Sequence, residues 1–462
     1  MTKADKFFKS IEGKKVAFVG IGVSNTDSIL MFLEKGIDVT ACDKASREKL
    51  GETADRLEKA GAKLCLGDTY LDDICSFDIV VRTPGIMYHI PEFQSAKQAG
   101  VAVTSEMELF FELCPCKIFA VTGSDGKTTT TTLISKFLSA QGYTVHLGGN
   151  IGRALLPIVD EITPNDFAVV ELSSFQLMSM RQSPDVAVIT NVTPNHLDKH
   201  TDMQEYIDAK KNLLLHQNAF SRSVLNLDNE TARDMSALVR GKRFNFSRRE
   251  ELQDGAFINS DNEIFMAVNS EKVKVMDRCD IKLVGDHNVE NYLAAISAVW
   301  GYVDIPTIVG VAREFGGVEH RMELVRERNG VKWYNDSIGT SPTRTIAGLK
   351  AYTQKVILIA GGYDKKIPYE PLAPYIVDKV KALILMGATA PKILEAVENC
   401  EGFDASALPI YRADNMEHAV KIADEISEEG DIIDFSPASA SFDLYKNFEQ
   451  RGIHFKNIVN AL

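Results

Sequence analysis

Residues 123–129, G-S-D-G-K-T-T, have the types and spacing to hold a phosphate. Gly123 and Gly126 leave the backbone free to turn its N–H groups toward an anion. Ser124 and Asp125 fill the turn between them. Lys127 can reach the terminal phosphates, and the hydroxyl of Thr128 or Thr129 can ligate magnesium. The standard phosphate loop is G-x-x-x-x-G-K-[ST], with a glycine where this chain has Val121, so the loop here is the shorter G-x-x-G-K-T. Its chemistry survives, because a helix opening near Lys127 adds its positive N-terminus.

Further groups could join it. Glu171 ends the apolar run DFAVVE, and His196, Asp198 and His200 follow the apolar run DVAVITNV. Taken singly, these are a solvated strand-end carboxylate and hydrogen-bonded loop histidines. Taken together, Glu171 and His196 could hold a second divalent cation near the γ-phosphate. In EYIDAKKNLLL, Tyr206, Lys210 and Leu213 share a helix face, although two adjacent lysines usually mark a solvated one. In GDHNVENYLAA, Asn288 and Asn291 lie on one side of a first helical turn. Asn288 there would cap the helix or touch a nucleotide.

The elements that must position these residues fall into three α/β units. KKVAFVG, IDVTACD and SFDIVVR alternate with helices, which implies a parallel sheet covered on both faces. The second unit begins near Glu106 with KIFAVTG, DFAVVELS and DVAVITNV, apolar throughout as buried parallel strands are. It closes on the helix HNVENYLAAISAVWGYV. The third begins near Val318, where Asn329-Gly330 between two strand-like runs signals a type I′ hairpin. KVILIAGG, VKALILMG and GDIIDFSP follow. The expected domains are 1–105, 106–317 and 318–462.

VGIGVSNTDS, residues 19–28, resembles the dinucleotide fingerprint G-x-G-x-x-G, with Asn25 at the third position. Asp43 ends the second strand, where a nicotinamide enzyme places its ribose acid. Alone, this segment would suit an NAD(P)-dependent oxidoreductase, which would leave the phosphate loop without a role.

Composition narrows the field. The chain has 462 residues, 45% hydrophobic and 25% charged, as an ordinary globular protein does. A net charge of −13 offers no basic footprint for nucleic acid. No apolar run approaches the ~20 residues of a membrane span, and no apolar signal core opens the chain. Seven scattered cysteines, with C-x-C at 114–116 and no second pair, suggest reduced cytoplasmic thiols and no zinc site. A monomer is the default expectation.

In order along the chain stand GSDGKTT, GNIG, ELSSFQL, NVTPNHLD, YIDAKKNL, GDHNVENYLAA, HRMELV, NDSIGTSP, AGGYDKK and SPASASFDLYKNFEQRG. This series resembles the Mur ligase family from about Val16 to the C-terminus. The last motif and NDSIGTSP are most similar to its D-glutamate-adding branch. The DNPR motif of the diaminopimelate-adding branch is absent.

The resemblance implies an ATP-dependent ligase with a Rossmann-like N-terminal domain, a central P-loop ATPase-like domain and a Rossmann-like C-terminal domain. It implies UDP-N-acetylmuramoyl-L-alanine and D-glutamate as substrates, an acyl-phosphate intermediate, and two magnesium sites. UDP-substrate contacts are implied for Gly22, Val23, Ser24, Asp43, Lys44, Thr83, Pro84 and Gly85. ATP contacts are implied for residues 123–129 and for Asn291, Arg321 and Asp336. Asn150 faces the substrate. The resemblance implies Thr128, Glu171, His196 and Lys210 as metal ligands, the last carbamylated; its Y-x-x-A-K pattern selects Lys210 over Lys211. A D-glutamate pocket is implied at Thr340, Ser441, Phe442 and Lys365 or Lys366. Ile338 departs from the family, standing where many relatives have lysine. Other Mur ligases and folylpolyglutamate synthases share the central motifs, and a non-catalytic nucleotide-switched protein would share the phosphate loop.

Overall fold

A computed structural model describes residues 2–194, 200–283, 285–364 and 367–462. It divides into two compact units, 1–314 and 315–462.

The first unit holds two sheets. Strands β1 (Lys15–Val19), β2 (Asp38–Asp43), β3 (Lys63–Leu66), β4 (Ile79–Arg82) and β5 (Ala102–Ser105) form a parallel sheet in the order β3-β2-β1-β4-β5. The strand order reverses between β1 and β4, so the loops that follow them open side by side at the carboxyl edge. A Cβ on Gly20 would collide with Thr83, which is how closely the two loops approach. The third glycine of the fingerprint is replaced without loss of the turn, because buried Asn25 donates from Nδ2 to the Gly20 carbonyl at 2.9 Å.

The second sheet has nine strands: β6 (Lys117–Thr122), β7 (Val145–Gly149), β8 (Phe167–Glu171), β9 (Val186–Ile189), β10 (Arg222–Asn226), β11 (Lys242–Ser247), β12 (Gly255–Ile258), β13 (Glu263–Val268) and β14 (Glu271–Asp277). Their order is β14-β13-β12-β11-β10-β9-β6-β8-β7. β6 is central, with Val121 opposite Glu171 on one side and Thr122 opposite Ile189 on the other. β6, β8 and β9 are buried almost end to end, the consequence of helices on both faces. Burying each large aliphatic or phenyl side chain contributes about 1.5–3 kcal/mol, which makes this a rigid floor for the loops above it. The antiparallel extension β12 to β14 was not anticipated from the sequence.

The second unit holds β15 (Glu323–Arg328), β16 (Val331–Asn335), β17 (Val356–Ala360), β18 (Val380–Leu385), β19 (Ile410–Arg412) and β20 (Ile432–Phe435), in the order β15-β16-β20-β17-β18-β19. β15 and β16 form the expected hairpin, with φ +52° at Asn329 and +75° at Gly330; a type I′ turn requires positive φ at both. The last strand inserts between β16 and β17, so the segments NDSIGTSP, SPASAS and GGYD leave the carboxyl ends of three adjacent strands. Three α/β layers, mostly parallel, are the architecture the motifs required.

Candidate functional site

The phosphate loop leaves β6 and turns into the helix Lys127–Ala140, with Gly126 as its N-cap at φ +77°. The first-turn N–H groups of such a helix have no intrahelical acceptor and face outward. Gly126 must be glycine on two counts: its φ, and the Asn291 Oδ1 atom that a Cβ would strike. Asn291 is buried. Its Oδ1 accepts from Thr130 Oγ1 at 3.2 Å and its Nδ2 donates to Asn288 Oδ1 at 3.2 Å. Asn288 is not the cap; Gly285 holds that position in the helix Asp286–Val299.

The loop is braced from below. Ser124 Oγ donates to the Thr193 carbonyl at 2.9 Å and lies 2.9 Å from the Tyr206 hydroxyl. Asn191 Oδ1 accepts from the Asp125 N–H at 3.0 Å, and Thr190 Oγ1 donates to the Asp125 carbonyl at 2.6 Å. Lys127 Nζ folds back to the carbonyls of Gly123 and Ser124, at 2.9 and 2.8 Å. Thr128 and Thr129 lie in the first helical turn beside it, half-buried.

Lys210 is not on a solvated face. It is 1% exposed, on the helix Met203–Leu215, and its Nζ donates to the Gly123 carbonyl at 2.9 Å and to Thr122 Oγ1 at 3.3 Å. The Tyr206 ring lies under it at 4.5 Å. Burial pushes the Lys210 pKa well below the usual lysine range; Lys127 acts in the same direction, and Asp125 and Glu171 oppose it. Lys211, one residue on, pairs with Asp208 at 2.8 Å on the surface.

Glu171 is 1% exposed at the end of β8. Its Oε1 accepts from Asn150 Nδ2 at 2.7 Å, and its Oε2 is buried with no hydrogen-bond partner among the described residues. Orphaned buried carboxylate oxygens are rare and costly, and a bound cation is one of the standard reasons for one. Among the described residues no cluster of three His, Cys, Asp or Glu side chains could hold a metal by itself. Hydroxyl, carboxylate and phosphate oxygens together would suit a hard divalent cation. His196 and Asp198 lie outside the described residues. His200 is buried between Ser174 Oγ at 2.8 Å and Glu205 Oε2 at 3.2 Å and stacks on Phe175.

A cleft of about 340 Å³ runs from the β1 and β4 loops to the β7 and β8 loops, lined among others by Gly22, Thr83, Pro84, Glu106, Asn150 and Gln176. Gly85 is exposed beside it. Val23 and Ser24 open the helix Val23–Glu34. Asp43 accepts from the N–H groups of Ile21 and Ala45, at 2.6 and 2.7 Å, and Lys44 is exposed. Glu106 and Gln176 were not singled out by the sequence, although ELSSFQL contains the second. Arg82 was missed as well. It is 1% exposed at the end of β4 and donates to Ser179 Oγ at 2.7 Å and the Phe175 carbonyl at 3.1 Å, tying the first sheet to the second.

In the second unit, Asp336 is buried, its carboxyl accepting from Ser436 Oγ at 2.8 Å and the Met322 N–H at 3.2 Å. Burial pushes its pKa up to about 6. Arg321 and Thr340 are half-buried, Ser441 is buried, and Phe442 is 62% exposed with its ring edge-on to Tyr363 at 5.9 Å. Lys365 and Lys366 lie outside the described residues. Arg451, on the helix Phe448–Ala461, was not picked out by the sequence. It binds Ser337 on the β16 loop and Ser439 and Ala440 on the β20 loop.

Family models match three successive stretches. "Mur ligase MurD-like, N-terminal domain" matches residues 14–105, "Mur ligase middle domain" 121–299, and "Mur ligase, glutamate ligase domain" 320–439. The UDP-N-acetylmuramoylalanine–D-glutamate ligase of Acetivibrio thermocellus is 53% identical over 463 residues, covering 100% of this chain and 99% of its own. That of Clostridium kluyveri is 51% identical over 458 residues, with 99% of each chain covered. The solved UDP-N-acetylmuramate–alanine ligase of Thermotoga maritima is similar in fold, with a TM-score of 0.56 at 19% identity over 97% of this chain and 99% of its own.

Proposed function

The chain belongs to the Mur ligase family, and on that premise we propose that it joins D-glutamate to UDP-N-acetylmuramoyl-L-alanine in the cytoplasm, consuming ATP. The family and the full-length relatives make it an ATP-dependent ligase of peptidoglycan synthesis. The observation that carries the reaction type is the convergence of Lys127 and Lys210 on one carbonyl of the phosphate loop, with Glu171 on the adjacent strand.

The chemistry follows from charge. A carboxylate is a poor electrophile, and transfer of the γ-phosphoryl group to it supplies a leaving group. Both reactants are anions, so the loop must neutralise them. The helix N-terminus at Gly126–Thr129 and Lys127 receive the phosphates. Magnesium, when bound, polarises the phosphoryl oxygens. Thr128 and Glu171 would hold one ion and His196 would help hold another. Asn150 presents Glu171 by gripping Oε1, which leaves Oε2 for the metal.

Lys210 would serve as a carbamate: its neutral amine bonds to the carbon of CO₂, one N–H proton leaves, and an anionic oxygen pair results. Burial favours the neutral amine this requires. Asn291 and Arg321 would contact ATP. Asp336 would share with the ribose a carboxyl already accepting from two groups. Gly22, Val23, Ser24, Asp43, Lys44, Thr83, Pro84 and Gly85 would take the UDP end of the substrate. Thr340, Ser441, Phe442 and Lys365 would form the D-glutamate pocket.

A panel of amino acids with UDP-N-acetylmuramoyl-L-alanine and ATP, followed by phosphate release, tests this reading. D-Glutamate should drive release, while L-glutamate, L-alanine and diaminopimelate should not. A pocket built to pair a carboxylate discriminates strongly against a misplaced one. Comparable rates with diaminopimelate or L-lysine would move the chain to another branch of the family.

A further inference from the structure

Three buried hydroxyls form a continuous chain in the second unit. Thr389 Oγ1 lies 2.8 Å from Ser439 Oγ, which lies 2.7 Å from the Tyr369 hydroxyl. At the other end the Gly362 N–H donates to Thr389 Oγ1 at 3.0 Å, and the Thr389 N–H returns a bond to the Gly362 carbonyl at 3.0 Å. The chain therefore fastens both ends of the stretch from Gly362 to Tyr369 to one serine. That serine stands two residues before Ser441. Lys365 and Lys366 lie between the two anchors in sequence.

Buried hydroxyls must bond to something, so pairing alone would be unremarkable. Their surroundings say more. Gly362 has φ +154°, and a Cβ there would collide with the Ala440 carbonyl, while the Tyr363 N–H donates to that same carbonyl at 2.9 Å. Ala438, beside Ser439, is held at φ +55°, a left-handed conformation that costs a non-glycine residue roughly 1–3 kcal/mol and persists only where the surroundings over-determine it. Arg451 Nη1 grips the carbonyls of Ser439 and Ala440 at 3.1 and 2.9 Å. Gly362 and Tyr363 are thus held against Ser439 and Ala440, with the hydroxyl chain alongside.

We propose that Thr389, Ser439 and Tyr369 are positioning residues for the amino-acid substrate, fixing Gly362 and Tyr369 against the SPASAS loop. They set affinity for that substrate first and leave UDP-substrate binding alone. This rests on the reading that these loops take D-glutamate.

The test is steady-state kinetics of the full-length enzyme carrying Ser439→Ala or Tyr369→Phe, each substrate varied in turn, with thermal unfolding alongside. Ser439→Ala removes both hydroxyl links. It should raise KM for D-glutamate about fivefold to tenfold, the equivalent of one or so lost hydrogen bonds. KM for the UDP-substrate should stay within about twofold, since its contacts lie on loops of the first unit, and KM for ATP, whose Asp336 contact is bonded to Ser436 of the same loop, should move less than KM for D-glutamate. Tyr369→Phe keeps the ring in place and guards against a misfolded Ser439→Ala; it should shift the same KM in the same direction. The double variant should match Ser439→Ala alone, because the hydroxyls act as one chain. An unchanged KM for D-glutamate in both variants would overturn the proposal. So would a parallel rise of all three KM values with a lowered Tm, the mark of a purely structural role. If the wild-type enzyme instead uses another amino acid, the functional reading falls, and KM for that amino acid decides the proposal by the same comparison.

Discussion

Lys127 and Lys210 meet at one oxygen, the carbonyl of Gly123, each with its Nζ at 2.9 Å. They come from different helices, one following directly from the phosphate loop and one packed against it. Two ammonium groups so close would repel, and burial already disfavours charge on Lys210. Burial first, and Lys127 beside it, both push Lys210 toward the neutral amine. The carbonyl parks both side chains in a geometry that an arriving phosphate can reorganise.

Lys127→Ala should lower turnover by about 10²–10³, the loss typical of one preorganised charge-stabilising group. The fold should persist, since the residue is half-buried in the first turn of its helix and its Nζ bonds main-chain carbonyls of the loop before it. Phosphate release and thermal unfolding measured together check both halves. Near-normal turnover would end the phosphoryl-transfer reading.

Lys210→Ala should lose roughly two orders of magnitude in turnover and regain part of it with millimolar acetate, which restores anionic oxygens beside the metal. Lys211→Ala should be close to normal, because its pairing with Asp208 is exposed and worth about 0.2–1 kcal/mol. Acetate titrations on the three proteins separate the two lysines. A fully active Lys210→Ala enzyme would rule out a carbamate role.

Much of this was legible in the sequence, for identifiable reasons. The runs KIFAVT, FAVVE and VAVI are apolar because β6, β8 and β9 are covered on both faces. Gly123 and Gly126 announced the turn between strand and helix because only glycine tolerates their φ and their close neighbours. Charged residues that go inside were not legible. Helical spacing alone suggests a solvated face for both Lys210 and Lys211, the Y-x-x-A-K resemblance selects Lys210, and the rotation of their helix against the phosphate loop is what buries it. Arg82 and Arg451 were passed over because arginine is ordinarily exposed; their acceptors are mostly main-chain carbonyls, which carry no sequence signal. Strands β12 to β14 pair antiparallel at the sheet edge, where half-exposed residues blur the pattern.

Glu171→Gln should raise the magnesium concentration for half-maximal phosphate release at least about tenfold, the scale seen when a metal's local support is weakened. Glutamine can still offer an oxygen to Asn150, but it places an uncharged amide where the unpartnered Oε2 now sits. Magnesium titrations of the variant and the wild type provide the comparison. An unchanged magnesium requirement would remove Glu171 from the ligand set.

Glu106 gives a pH signature. It is 6% exposed, accepts from the Leu156 N–H at 3.0 Å, and burial pushes its pKa up from 4.5 to about 7. Between those values the folded chain holds a proton that the unfolded chain has lost. The stabilisation is complete below about pH 4.5 and is lost as pH rises through about 7. Glu106→Gln is neutral throughout. The variant should therefore gain stability relative to the wild type by about 3 kcal/mol from pH 4.5 to 7.5. Urea unfolding of both proteins across that range measures the gain, and parallel curves would refute it.

Arg451 holds the second unit's loops together. It is 2% exposed, and its Nε donates to Ser337 Oγ at 3.1 Å while Nη2 donates to the Ser337 carbonyl at 2.8 Å. Nη1 serves the carbonyls of Ser439 and Ala440. Burial pulls its pKa down to about 10, so it is charged at neutral pH without a carboxylate among these partners. Arg451→Ala strands four acceptors inside the protein, each with a desolvation cost once unpaired, partly offset because a buried charge is also removed. The balance should be a loss of about 3 kcal/mol in the unit 315–462. Arg451→Lys should recover little, because one ammonium on a flexible stem cannot reproduce a planar fork that reaches two loops at once. Thermal unfolding of the three proteins orders them wild type, then Arg451→Lys, then Arg451→Ala. Because the same loops carry Thr340 and Ser441, KM for D-glutamate should rise in both variants. A variant with wild-type unfolding and an unchanged KM would show that the loops hold their positions without the guanidinium.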